Sequence, residues 1–258
     1  MAMSTTDNRQ YHIQVAPGEV GKYIFLPGDP GRCEPIAQFF DEPRLVAKNR
    51  EYETWTGFLD GEMVSVTSTG IGCPSAAIAI EELVKAGSDT FVRVGTSGSM
   101  QHHIKPGDLG VIQAAIRDEG TTSHYLPLEF PAVADLDVTR ALAVGARSLG
   151  KTVHVGISQT KDSFFGQHEP SRMPVASRLD ERWKAWMAGG AICSEMEAAG
   201  LYIVASTLGV RAGGIMMILG NPEQKPMTEA ELKAGAVENV LPAAIEGMRE
   251  LIRQDNGK

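Results

Sequence analysis

Cysteine is scarce in this chain: Cys33, Cys73 and Cys193 are odd in number, far apart and without metal-ligand spacing. That excludes a disulfide framework and a zinc site and fits reduced thiols in a cytoplasmic protein. Positive charge is also short. With 24 basic residues against 32 acidic ones, generic attraction to nucleic acid or to an anionic membrane is not expected, and any bound anion needs a local cluster of cations. No apolar run is long enough to span a bilayer, and the opening "MAMSTTDNRQYHIQ" lacks an apolar core of signal-peptide length. Repeats, low-complexity tracts and linkers are missing too. What remains is 258 residues, 43% of them hydrophobic, sufficient for one domain covering 1–258 around a substantial core.

Strand-like and helix-like segments alternate. "EMVSVTST", "TFVRVG", "LGVIQAAI", "VHVGISQT" and "AGGIMMIL" read as strands, several apolar enough to be covered on both faces. "PSAAIAIEELVKAG" and "DVTRALAVGARSLG" read as helices closed by Gly87 and Gly150, and "TEAELKAGAVENVLPAAIEGMRELIRQ" as a long terminal helix kinked at Pro242. The expected fold is α/β: three layers, with a mixed, largely parallel central sheet flanked by helices. Ligands then belong beyond the carboxyl ends of the strands.

The turns after the strands carry the chemistry. In "IFLPGDPGRC" a buried strand is ended by turn residues, Asp29 caps a following helix whose first turn holds Pro30, Gly28 lets another group approach the backbone, and Arg32 adds a forked donor. This turn suits an anion. "TGIGCPSA" has two glycines before a helix but neither the third fingerprint glycine nor the acid some twenty residues on that a dinucleotide fold requires. In "RVGTSGS", Arg93 faces away from Val92 and Val94, and Thr96 follows with a hydroxyl. Alone, Arg93 reads as an edge-strand charge reaching solvent. The adjacent His102 and His103 point in opposite directions in an extended segment and do not share a metal.

"PGDPGRCEPIA", "NREYETWTG", "STGIGCPSAAIAIEEL", "RVGTSGSMQHHIKPGDLGV", "LEFPAVAD", "KDSFFGQ" and "SEMEAAGL", in this order and at similar spacing, resemble the nucleoside phosphorylase-I family, and within it the branch that acts on uridine. The resemblance implies a pentosyltransferase that needs no cofactor: phosphate attacks the anomeric carbon of a nucleoside and releases ribose 1-phosphate and the base, in salvage or catabolism of pyrimidines. It assigns phosphate ligation to Gly28, Arg32, Arg93 and Thr96, and to Arg50 from a neighbouring subunit. It assigns ribose contacts to Met196 and Glu197, and to a neighbour's His12 at the 5′-hydroxyl. The active sites are then shared across dimers, assembled into a hexamer. It also implies a structural K+ at the dimer interface, held by Glu51, the Ile71 carbonyl and Ser75. Read as one helix, "SEMEAAGL" places Glu195 and Glu197 about 200° apart, which argues against an acid–base pair and leaves solvated helix-start carboxylates as the plain alternative.

The base site departs from the family pattern. The uridine-cleaving branch shows Gln-x-Arg, whereas here Gln167 is followed by His168 and Glu169 and the nearest arginine is Arg172. Phe164 and Phe165 offer apolar surface to a planar base. Asn221 stands where the purine branch has a proton-delivering aspartate, and an amide cannot deliver that proton. Catalysis is therefore expected from Arg93, Glu197 and Gln167 on a pyrimidine nucleoside, above all uridine. A purine nucleoside phosphorylase is the alternative, followed by a nucleoside hydrolase, against which Arg32, Arg50 and Arg93 speak, and a silent nucleoside or phosphate binder.

Overall fold

Alternation along the first strand sets the layering. In the computed structural model, which describes residues 8–223, 227, 228, 230, 231, 235 and 239–257, β1 (Tyr23–Pro27) is buried throughout. Tyr23 and Phe25 enter one hydrophobic cluster and Ile24 and Leu26 the other, as the period of two along a strand demands. The chain continues through α1 (Cys33–Ala37), β2 (Asp41–Asn49), β3 (Tyr52–Leu59), β4 (Glu62–Thr67), α2 (Cys73–Lys85), β5 (Thr90–Ser99) and β6 (Leu109–Asp118). It then forms β7 (Ala132–Val133), α3 (Leu136–Ser148), β8 (Val153–Lys161), α4 (Phe164–His168), α5 (Ala176–Ala188), β9 (Cys193–Glu195), α6 (Ala198–Leu208), β10 (Arg211–Gly220) and α7 (Leu241–Asp255).

The fold is α/β, with one mixed sheet between helical layers. β1 lies between β4 and β5, and β5 between β1 and β10, all parallel; β2, β3 and β4 extend that edge as an antiparallel meander. At the other end the sheet bends and closes, because β10 pairs with β6, β6 with β8, β8 with β9, and β9 returns to the far end of β5. Helices α2 and α6 cover one cluster; α1, α3 and α7 cover the other.

Local signals account for most boundaries. Asp135 caps α3 by accepting from Val138 N at 2.9 Å, and Gly150, at φ 69°, takes the left-handed turn that follows it. Pro74 stands in the first turn of α2. Asn239 and Val240 enter α7 through a π turn with Pro242 next in line; much of the helix expected before Asn239 lies outside the described residues. β5 runs past the expected end at Gly95 to Ser99, so Thr96 lies within the strand.

Candidate active site

The carboxyl ends of β1 and β5 open on a cavity of about 1490 Å³, lined among others by Gly28, Arg32, Arg93, Thr96, Met196 and Glu197. The turn after β1 is built as its sequence implies: Asp29 Oδ1 accepts from Gly31 N at 2.9 Å, and Pro30–Arg32 forms a single 3₁₀ turn. A Cβ on Gly28 would stand 3.2 Å from Gly70 O and 4.0 Å from Arg93 Nη1, so glycine keeps this wall low enough for a ligand to reach the backbone. Gly95 serves Arg93 in the same way, since a Cβ there would press on the guanidinium and on Met216.

Arg93 is not a solvent-reaching charge. Only 6% of it is exposed, and two carboxylates clamp it: Nε donates to Glu195 Oε2 at 3.1 Å and Nη2 pairs with Glu197 Oε2. Burial works to lower its pKa, but Glu197 and Glu195 outweigh it and hold the guanidinium charged. Nη1 is the buried side-chain nitrogen or oxygen that finds no partner among the described residues. Arg32 lies near enough for the two guanidinium charges to repel; burial first and Arg93 next pull its pKa down against Asp29. Neither the Arg32 guanidinium nor the Thr96 hydroxyl bonds to another described residue. In a protein with net charge −8, two close guanidiniums with idle donors make a pocket for an anion.

The helical reading of Glu195 and Glu197 is corrected. Glu195 ends β9 and Glu197 caps α6, so the backbone turns between them and brings both carboxylates to Arg93. Neither is solvated: they are 3% and 4% exposed. Glu195 Oε2 accepts from Glu197 N at 2.7 Å and Ala198 N at 2.8 Å, satisfying the start of α6. Gly72 N donates to Glu197 Oε1 at 2.6 Å. Burial raises the pKa of Glu197 against the pull of Arg93.

At the other end the cavity is lined by Lys161, Phe164, Gln167, His168, Trp183, Ser194 and Asn221. A recess of about 410 Å³ adjoins it behind Lys161, Gln167 and Trp183. Asn221 Nδ2 donates to the carbonyls of His102 and Ile104 at 3.2 and 3.1 Å, which ties that amide to the neighbouring loop. Phe165 and Arg172 are not on the cavity wall. Arg172 is exposed, pairs with Glu169 three residues away and sits over the outward-facing Phe165 ring; the nearest arginine in sequence is turned away in space. Lys161 and Ser194 escaped the sequence reading, although Lys161 ends an apolar strand inside the "KDSFFGQ" motif and a lysine there is a signal in itself.

His12 and Arg50 stay away from this chain's own cavity and lie together. Glu82 accepts from His12 N at 2.9 Å and contacts His12 Nδ1 at 2.7 Å; Asn49 Nδ2 donates to His12 O at 2.7 Å. The exposed Arg50 at the β2–β3 turn sits over Tyr11. Glu51, Ile71 and Ser75 meet at the cavity rim. Ser75 Oγ lies 2.8 Å from Glu51 Oε1 and 2.5 Å from Thr69 O, and its single proton serves only one of them.

This chain is similar to a uridine phosphorylase from Treponema pallidum, 44% identical over 96% of each chain. A uridine phosphorylase from Escherichia coli is 40% identical, covering 88% of this chain and 91% of its own. A guanosine phosphorylase from Halorubrum lacusprofundi is 39% identical over 83% and 84%. The family model described as the phosphorylase superfamily matches residues 22–254, nearly the whole of the sheet and its helices, and the chain belongs to that superfamily.

Proposed function

We propose that the protein is a pentosyltransferase that reversibly phosphorolyses a pyrimidine nucleoside, uridine above all, to the free base and ribose 1-phosphate. One observation carries the reading: Arg93, held charged by two buried carboxylates, keeps an idle Nη1 beside Gly28. A buried, charged donor of that kind calls for an acceptor, and an oxyanion meets it best. Gly28, Arg32, Arg93 and Thr96 hold phosphate, joined by a neighbour's Arg50. Glu197 and Met196 face the ribose, and a neighbour's His12, fixed by Glu82, reaches its 5′-hydroxyl. Phe164 and Gln167 take the base, while Phe165 and Arg172 stand outside this site and Asn221 shapes its wall.

A phosphate oxygen bonds to C1′ as the C1′–N1 bond breaks. The bonding pair passes to the ring, and the proton brought by hydrogenphosphate ends on the base. Positive charge on the ribose grows in the transition state, where a carboxylate close to the sugar gains strength. Glu195, turned to Arg93 and the α6 backbone, positions rather than touches. The location of His12 and Arg50 on one patch away from their own cavity supports sites completed across dimers, which we extend to a hexamer. Glu51, Ser75 and the Ile71 carbonyl are oxygen donors suited to a monovalent cation such as K+, which would neutralise Glu51 at that interface. Three free, buried cysteines suit the cytoplasm.

The test is cleavage of uridine by the purified protein with and without phosphate. Equal amounts of uracil and ribose 1-phosphate, formed only with phosphate and faster than inosine is cleaved, are expected. Uracil without phosphate would mean hydrolysis, faster inosine cleavage a purine enzyme, and no turnover a binder.

A further inference from the structure

Lys161 is a buried cation with no carboxylate in direct contact among the described residues. Only 5% of it is exposed, yet among the described residues no carboxylate lies within ion-pair distance, and its hydrogen-bond partner is a neutral hydroxyl, Ser194 Oγ at 2.8 Å. An ammonium has three N–H donors, so two remain for whatever enters the base end of the cavity that Lys161 lines. Desolvating a charge is costly unless something meets it.

The same hydroxyl orients Gln167. Ser194 Oγ lies 2.5 Å from Gln159 Oε1 and 2.6 Å from Gln167 Oε1, but it has one proton. Gln159 gives its amide nitrogen to Asp118 Oδ2 at 2.7 Å, and Asp118 is paired with Arg182 at 2.6 Å, so the Gln159 oxygen takes the Ser194 proton. The two ends of an amide are told apart by such networks. Gln167 then seats its nitrogen on Ser194 and turns its oxygen to the cavity. An acceptor and a cationic donor stand one hydroxyl apart.

We propose that Lys161 is a catalytic residue of the base site, donating to the carbonyl oxygen beside the ring N–H that Gln167 accepts and stabilising the negative charge that reaches the base as the glycosidic bond breaks. This rests on the phosphorolysis reading above. Lys161 keeps its proton throughout and supplies the cation that the family's missing Gln-x-Arg arginine would have brought. Charge that develops only in the transition state is what a fixed donor in a dry site stabilises best. The pair reads an N–H/C=O edge, present in uracil and in guanine or hypoxanthine, and opposes the amino edge of cytosine or adenine, which would set N–H against ammonium. Burial, opposed by Glu195, Glu197, Cys193 and Asp118, brings Lys161 down to about 8, so most of it is protonated at neutral pH; burial first and Lys161 next lower the pKa of the neighbouring His168.

The test pairs Lys161→Met with uridine, 2-thiouridine and 4-thiouridine, since sulfur is a poor acceptor. The variant is expected to lose about 100-fold in kcat/KM for uridine with the phosphate KM nearly unchanged, and to lose far less on the one thio analogue whose sulfur replaces the contacted oxygen. Equal losses on all three substrates, or an unimpaired variant, would overturn the assignment. Should Lys161→Met not fold, Lys161→Gln is read in the same way, and a wild type indifferent to both sulfur replacements also overturns it. A wild type that cleaves neither uridine nor inosine would instead remove the phosphorolysis reading itself.

Discussion

The two ends of the cavity, where we propose that phosphate and the base bind, are built from different material. Gly28, Arg32, Arg93 and Thr96 stand on or just after β1 and β5, the central strands, and Arg93 is locked between two glutamates. Gln167 belongs to the five-residue α4 and the adjoining α5 has no buried residue, although Lys161 and Ser194 at the same end stand on β8 and β9. Strands packed on both faces hold donors to a narrow geometry, whereas short helices on the surface tolerate substitution. Chemistry common to a superfamily is therefore expected at the first end, and the choice of base at the second. The departure from Gln-x-Arg falls on the second.

The most severe way to break the comparison is Arg93→Met. It leaves Glu195 and Glu197 buried without the cation they pair with, so the fold is expected to lose about 3–5 kcal/mol, and kcat/KM at limiting phosphate to fall about a thousandfold. Urea denaturation and steady-state kinetics check both. An unchanged stability would show that the clamp is not electrostatic.

Gln167→Ala separates the ends more finely. A loss of about 100-fold in kcat/KM for uridine, equivalent to about 2.7 kcal/mol in the transition state, is expected with phosphate KM unchanged and stability altered by about 1 kcal/mol or less. A matching rise in phosphate KM would mean that the two ends are not independent.

The smallest effect belongs to Arg172→Ala. Its guanidinium is exposed and tied to Glu169, a pair of little energetic worth, so uridine kinetics are expected to stay within about twofold. A tenfold loss would place this loop over the base in the working enzyme.

Local chemistry explains which parts were legible. The turn "PGDPGR" declares itself because a strand end, an Asx cap and a proline at the first helical position act within six residues. Helix periodicity fails in "SEMEAAGL" because β9 ends and α6 begins within it, and one residue of turn reverses the relation of two side chains. Lys161 was hidden for another reason: a lysine's significance lies in whether a carboxylate contacts it, and that is visible only in space.

The amino-acid order alone determined the alternation of strands and helices, the two-faced burial of β1 and the capped turn after it, because hydrophobic period and turn chemistry are encoded within a few neighbouring residues. The tertiary structure alone decided that Arg93 meets Glu195 and Glu197, more than a hundred positions on in sequence, that Arg172 turns outward, and that Lys161 lines the cavity with a neutral hydroxyl as its hydrogen-bond partner among the described residues. Charge pairing depends on distance and dielectric, and both are set only when the sheet bends and closes.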